Sequence, residues 1–114
     1  MARKYDSGFG VRSGTTAVAA LVLMAGAAAA TAKDYTVTIE GMQFNPQELT
    51  VHRGDRILWV NKDLFPHSAT AAAKAFDSGS IASDASWSYV ASKSGDYAYG
   101  CTFHPTMKGK ITVQ

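Results

Sequence analysis

After Ala32 the chain alternates apolar and polar side chains in short runs broken by turn residues, and this period of two restricts it to β-structure. Tyr35, Val37 and Ile39 alternate with Thr36, Thr38 and Glu40 until Gly41 breaks the run. Leu49 and Val51 alternate with Thr50 and His52 up to an Arg53-Gly54-Asp55 turn. Arg56–Asn61 reads as a central strand, residues 68–73 as a weaker, Ala-rich one, and Trp87, Tyr89 and Val90 as the start of another. Ser94-Gly95-Asp96 then turns the chain, residues 97–101 are expected to run back antiparallel, and Lys108–Val113 closes the domain with Ile111 and Val113 inward. Residues 74–85 read as a loop anchored by Phe76 and Ile81. No segment carries a helical period. The expectation is an all-β fold, a small Greek-key β-sandwich of about seven strands.

The N-terminal third follows other rules. Arg3, Lys4 and Arg12 precede an uncharged, Ala-rich stretch that contains Leu21, Val22, Leu23 and Met24 and ends in Ala30-Thr31-Ala32. A basic region, an apolar region and a small-x-small site describe a secretory signal peptide, here residues 1–32 with cleavage after Ala32. The competing reading, a retained membrane anchor, fits less well, because the stretch is short and weakly apolar for a span of about 20 residues. Periplasmic localisation is therefore expected, with no stable membrane insertion after processing. Of 11 basic and 9 acidic residues, Arg3, Lys4, Arg12 and Asp6 lie in this leader, so residues 33–114 carry eight of each and no net charge. Nucleic-acid binding has no electrostatic support. One small monomeric domain is expected.

So small a core ordinarily needs a staple, and a disulfide cannot supply it, since Cys101 is the only cysteine. A free thiol in an oxidising compartment calls for burial, pairing between chains or ligation. Its neighbours favour ligation: His104 and Met107 follow Cys101 at three-residue intervals. Two-residue gaps let a curled loop turn the first, fourth and seventh side chains to one centre, and Pro105 stiffens that loop. His67, in Phe65-Pro66-His67-Ser68, is the candidate fourth group. Thiolate, two imidazoles and a thioether suit copper, whereas structural zinc sites are built from Cys and His without a thioether. A thiol nucleophile with a histidine base would leave Met107 unexplained and would need a cleft that a domain of this size has little room for. His52 falls on the outward side of its strand and is assigned no role.

With these residues in place, the sequence resembles the cupredoxins, the small blue-copper proteins. Phe44-x-Pro46, Leu49-x-Val51, Gly54-Asp55, Trp59-x-Asn61 and Pro66-His67 look like the first half of that family, and Gly95-x-Tyr97-x-Tyr99-x-Cys101 with its ligand loop like the second. The C-x2-H-x2-M spacing is similar to that of the amicyanins. The resemblance implies one type 1 copper, with His67, Cys101 and His104 as strong ligands and Met107 as the weak axial one. Ser68, Thr102 and Pro105 would support the ligands from behind, and Leu64, Phe65, Pro66 and Phe103 would form an apolar docking collar. It further implies a soluble one-electron carrier rather than an enzyme, with transient partners such as a quinoprotein amine dehydrogenase and a c-type cytochrome. A copper trafficking or storage protein is the alternative, but residues 33–114 contain only Met42 and Met107. Two departures stand out. Ser68 occupies a place where many cupredoxins have Asn, and Phe103 and Thr106 flank the loop histidine where amicyanins tend to have Pro and Phe.

Overall fold

The computed structural model describes residues 31–114, so the expected leader, except its last two residues, lies outside the described residues. Alternation along the sequence becomes alternation of burial. In β1 (Asp34–Glu40) Val37 and Ile39 are fully buried between exposed or half-buried neighbours, and in β4 (Arg56–Asn61) Ile57, Trp59 and Asn61 are buried. The remaining strands are β2 (Gln43–Asn45), β3 (Glu48–Val51), β5 (Thr70–Ala71), β6 (Ser86–Val90), β7 (Gly95–Gly100) and β8 (Lys108–Val113). They form two four-stranded sheets, ordered β2-β1-β4-β6 and β3-β8-β7-β5. This is the expected sandwich.

Each sheet contains one parallel pair. β1 lies parallel to β4 with Val37 opposite Trp59, and β3 lies parallel to β8 with Leu49 opposite Ile111. Between β1 and β4 the chain turns back as β2, then crosses to the other sheet as β3. The β1–β2 connection has two residues, Gly41 and Met42, both at positive φ (63° and 61°). Two left-handed residues match the twist of the strands they join, and a methionine in the second position is unusual there.

An aromatic cluster fills the interior. Phe44, Trp59, Phe76 and Tyr99 are buried, with Trp87 and Tyr89 half-buried beside them. The Trp59 and Tyr99 rings meet edge to face at 5.5 Å, and the indole Nε1–H donates to the Tyr99 hydroxyl at 3.2 Å. Burial pushes the phenol up to about 12, against the opposing pull of the Trp59 hydrogen bond.

The described residues hold eight strands, in keeping with the expected sandwich of about seven; β2 is the one the sequence does not show, because three residues with one apolar side chain, Phe44, are too few to carry a period. Two expectations are corrected. The Ala-rich run at 68–73 contracts to the two residues of β5. Finally, β6 and β7 are not a hairpin. β6 pairs with β4, whereas β7 pairs with β5 and β8 in the opposite sheet. The reason lies at Ala91, whose N–H and C=O are taken by Asp55 and Gly54, so the chain is tied to the β3–β4 turn before it crosses. The Tyr97 hydroxyl then donates to the Lys93 carbonyl at 2.7 Å, a corner of the kind that fixes sheet-to-sheet connections in sandwiches. His52 is exposed, as its place in the alternation requires.

Candidate metal centre

β7 and β8 form an antiparallel ladder from Gly95 opposite Val113 to Gly100 opposite Lys108, and the segment with Cys101, His104 and Met107 caps it. Two consecutive turns build the cap: His104 N–H donates to the Cys101 carbonyl at 3.3 Å, and Met107 N–H to the His104 carbonyl at 3.0 Å. Bonds of this i to i+3 type stack side chains three apart on one side, which is the physical content of the C-x2-H-x2-M spacing. Cys101 N–H donates to the Met107 carbonyl at 3.3 Å and closes the loop. That closure explains Gly100: a Cβ there would lie 2.8 Å from the Met107 carbonyl oxygen.

His67 arrives from the other side, in the stretch between β4 and β5. Its backbone exchanges two hydrogen bonds with Ile81, at 3.1 and 2.6 Å, and its side chain is completely buried. His67 Nδ1 lies 3.2 Å from His104 Nδ1 and 3.8 Å from Cys101 Sγ, and the third side of the triangle, His104 Nδ1 to Sγ, is 3.7 Å. A metal held at about 2.1 Å by three donors in its own plane requires donors about 3.6 Å apart. The three side chains thus surround a point at bonding distance from each. Cys101 and Met107 are buried and His104 is half-buried. The structure therefore brings together the donor atoms of His67, Cys101 and His104, and buries Met107 in the same loop. Thiolate, two imidazoles and thioether fit copper better than a structural zinc.

The groups around the ligands are equally ordered. Ser68 N–H donates to Cys101 Sγ at 3.3 Å. The Ser68 hydroxyl accepts from Thr102 N–H at 2.9 Å and lies 2.8 Å from the Thr102 hydroxyl, so serine does brace the cysteine loop. Pro105 is exposed, as are Leu64, Phe65, Pro66 and Phe103.

Two residues escaped the sequence reading as contributors to the site. Asp63 places Oδ2 2.8 Å from His67 Nε2, and accepts from Gly41 N–H at 2.7 Å and Met42 N–H at 2.9 Å. Burial pushes the Asp63 carboxyl up, but the Met42, Gly41 and His67 donors outweigh it and hold it below the usual value. Buried Asn61 accepts from Asp63 N–H at 2.9 Å and donates to the carbonyls of Phe65 and Ile81 at 2.7 and 2.9 Å. No local signal marks an aspartate four residues before a histidine, because the other partners of its carboxylate, Gly41 and Met42, lie more than twenty residues away in sequence.

A family model described as a cupredoxin-like domain matches residues 14–113. The chain belongs to the cupredoxin-like family. Among the relatives of this cupredoxin, amicyanin from Paracoccus versutus is 31% identical over 83 residues, 68% of this chain and 63% of that protein. Amicyanin-alpha from Methylorubrum extorquens is 33% identical over 107 residues, 90% of this chain and 89% of the relative. A solved Cu(I) structure of an amicyanin variant superposes with a TM-score of 0.67 at 29% identity, covering 71% of this chain and 82% of that one. The cupredoxin thus spans less than two thirds of the Paracoccus protein and nearly all of the Methylorubrum one. Among the described residues no helix is long and apolar enough to cross a membrane.

Proposed function

We propose that this cupredoxin holds one type 1 copper ion and serves as a periplasmic one-electron carrier between redox proteins, cycling between Cu(II) and Cu(I). His67, Cys101, His104 and Met107 would hold the ion, which would supply the Cu(II)/Cu(I) couple. The observation that carries the reading is the triangle of two imidazole nitrogens and one sulfur with sides of 3.2–3.8 Å, assembled by the protein's own hydrogen bonds. The two oxidation states of copper prefer different geometries. Donors locked in place by the Ile81, Ser68 and Met107 backbones let the electron pass with little rearrangement.

Exposure supports transfer through His104. Leu64, Phe65 and Phe103, in the segments that carry His67 and His104, are 88%, 60% and 51% exposed. Small apolar contacts of this sort suit brief electron-transfer encounters. A quinoprotein amine dehydrogenase as donor and a c-type cytochrome as acceptor are the partners the amicyanin likeness supports. The burial of His67, Cys101 and Met107 argues against a trafficking or storage role, which calls for exchangeable ligands.

The test is addition of Cu(II) to the purified protein. An intense thiolate-to-copper charge-transfer band in the visible, absent from Cys101→Ser, is the expected result. A colourless product, or one that surrenders its copper at once to a weak chelator, would overturn the reading.

A further inference from the structure

Within the copper site just proposed, we infer that Asp63 is a positioning residue: through His67 it presents Nδ1 to the metal and biases the bound copper toward Cu(II). A carboxylate can only accept, so the contact between Asp63 Oδ2 and His67 Nε2 at 2.8 Å assigns the ring proton to Nε2. In the neutral ring the lone pair is then on Nδ1, the nitrogen that faces Cys101 Sγ and His104 Nδ1. The tautomer and the direction of the lone pair follow from a single hydrogen bond.

Asp63 is itself held. Gly41 N–H meets one carboxylate oxygen and Met42 N–H the other, while Asn61 Oδ1 accepts the Asp63 backbone N–H. The Asp63 side chain is only 14% exposed and that of His67 is not exposed at all. A carboxylate in such surroundings draws on the Nε2 proton more strongly than a neutral acceptor would, which makes Nδ1 the better donor. Its negative charge, screened little by water, acts in the same direction. Both effects favour the more highly charged metal ion.

Asp63 could instead serve only to fasten the β1–β2 turn, and two measurements separate the roles. In the metal-free protein, 15N–1H correlation spectra of the imidazoles should show His67 solely as the Nε2–H tautomer, and Asp63→Ala should convert it to a mixture. In the copper-loaded protein, Asp63→Asn should lower the preference for Cu(II) over Cu(I) about tenfold, a rise of about 59 mV in potential, and Asp63→Glu should restore part of it. A purely structural role would lower the melting temperature of Asp63→Asn and leave the potential in place, which would overturn the inference. So would a wild-type His67 found as Nδ1–H. If the wild-type protein forms no thiolate–copper band, the copper reading fails by itself, and the tautomer of metal-free His67 still decides whether Asp63 sets the ring.

Discussion

The Ser68 backbone N–H donates to Cys101 Sγ at 3.3 Å, across 33 residues of sequence and in the buried interior. The same residue uses its hydroxyl to accept Thr102 N–H, so one serine holds both the sulfur and the residue after it. The bond to sulfur comes from the main chain and survives a change of side chain. Serine can therefore stand where cupredoxins often have asparagine.

Ser68→Ala should accordingly keep the copper band, because the N–H to sulfur remains, while the Thr102 N–H loses its acceptor. A loss of about 1 kcal/mol in stability of the metal-free protein is expected, measured by urea denaturation. Disappearance of the band would show that the hydroxyl, and not the backbone, secures the sulfur.

Gly100→Ala tests the closure of the ligand loop. The added Cβ would sit 2.8 Å from the Met107 carbonyl oxygen, a backbone atom already engaged by Cys101 N–H. Overpacking against backbone costs about 1–3 kcal/mol. The variant should unfold at lower temperature and yield copper to a competing chelator faster than wild type; equal retention would mean that the loop relaxes without moving its ligands.

Tyr99→Phe removes the partner of a buried indole N–H and should cost about 1–3 kcal/mol at neutral pH. Its alkaline behaviour is opposite. The phenol titrates near 10 when exposed and is pushed up to about 12 here, so from pH 10 upward the unfolded chain loses its proton first and stability falls. Tyr99→Phe should flatten that decline in denaturation curves collected between pH 9 and about 11.

Asp55 sets the acid limb. It accepts from the backbone N–H groups of His52 and Lys33, both at 2.9 Å, and these bonds hold its carboxyl below its ordinary value of 3.8. As pH falls past that value the unfolded chain takes up the proton first, so the contribution is present above it and is lost below it. Asp55→Asn should be less stable than wild type at neutral pH and should lose less stability on acidification. Parallel acid limbs for the two proteins would remove Asp55 from the account.

The candidate metal centre was legible in the sequence because its proposed ligands are scarce residue types at a spacing that a turn of three residues enforces. Cys101, His104 and Met107 announce each other locally, and His67 follows as the histidine whose surroundings resemble the first ligand of the family. Strand faces were legible for the same local reason: Val37, Ile39, Val51, Ile111 and Val113 are buried as their alternation requires. Partners were not. Alternation says which side chains of β6 and β7 point inward but carries no trace of the two strands lying in different sheets, a fact decided by Ala91 bonding to the β3–β4 turn. Asp63 was invisible for a related reason, since its meaning depends on Gly41 and Met42 being folded against it.

The ladder between β7 and β8 runs six rungs without interruption before the ligand loop begins. Structurally the loop is the tip of a hairpin whose stem is anchored elsewhere, by β5 on one side and β3 on the other. A tip can change length or composition while its stem stays in register. The copper chemistry of such a chain is therefore open to variation, by selection or by design, with little effect on the sandwich that carries it.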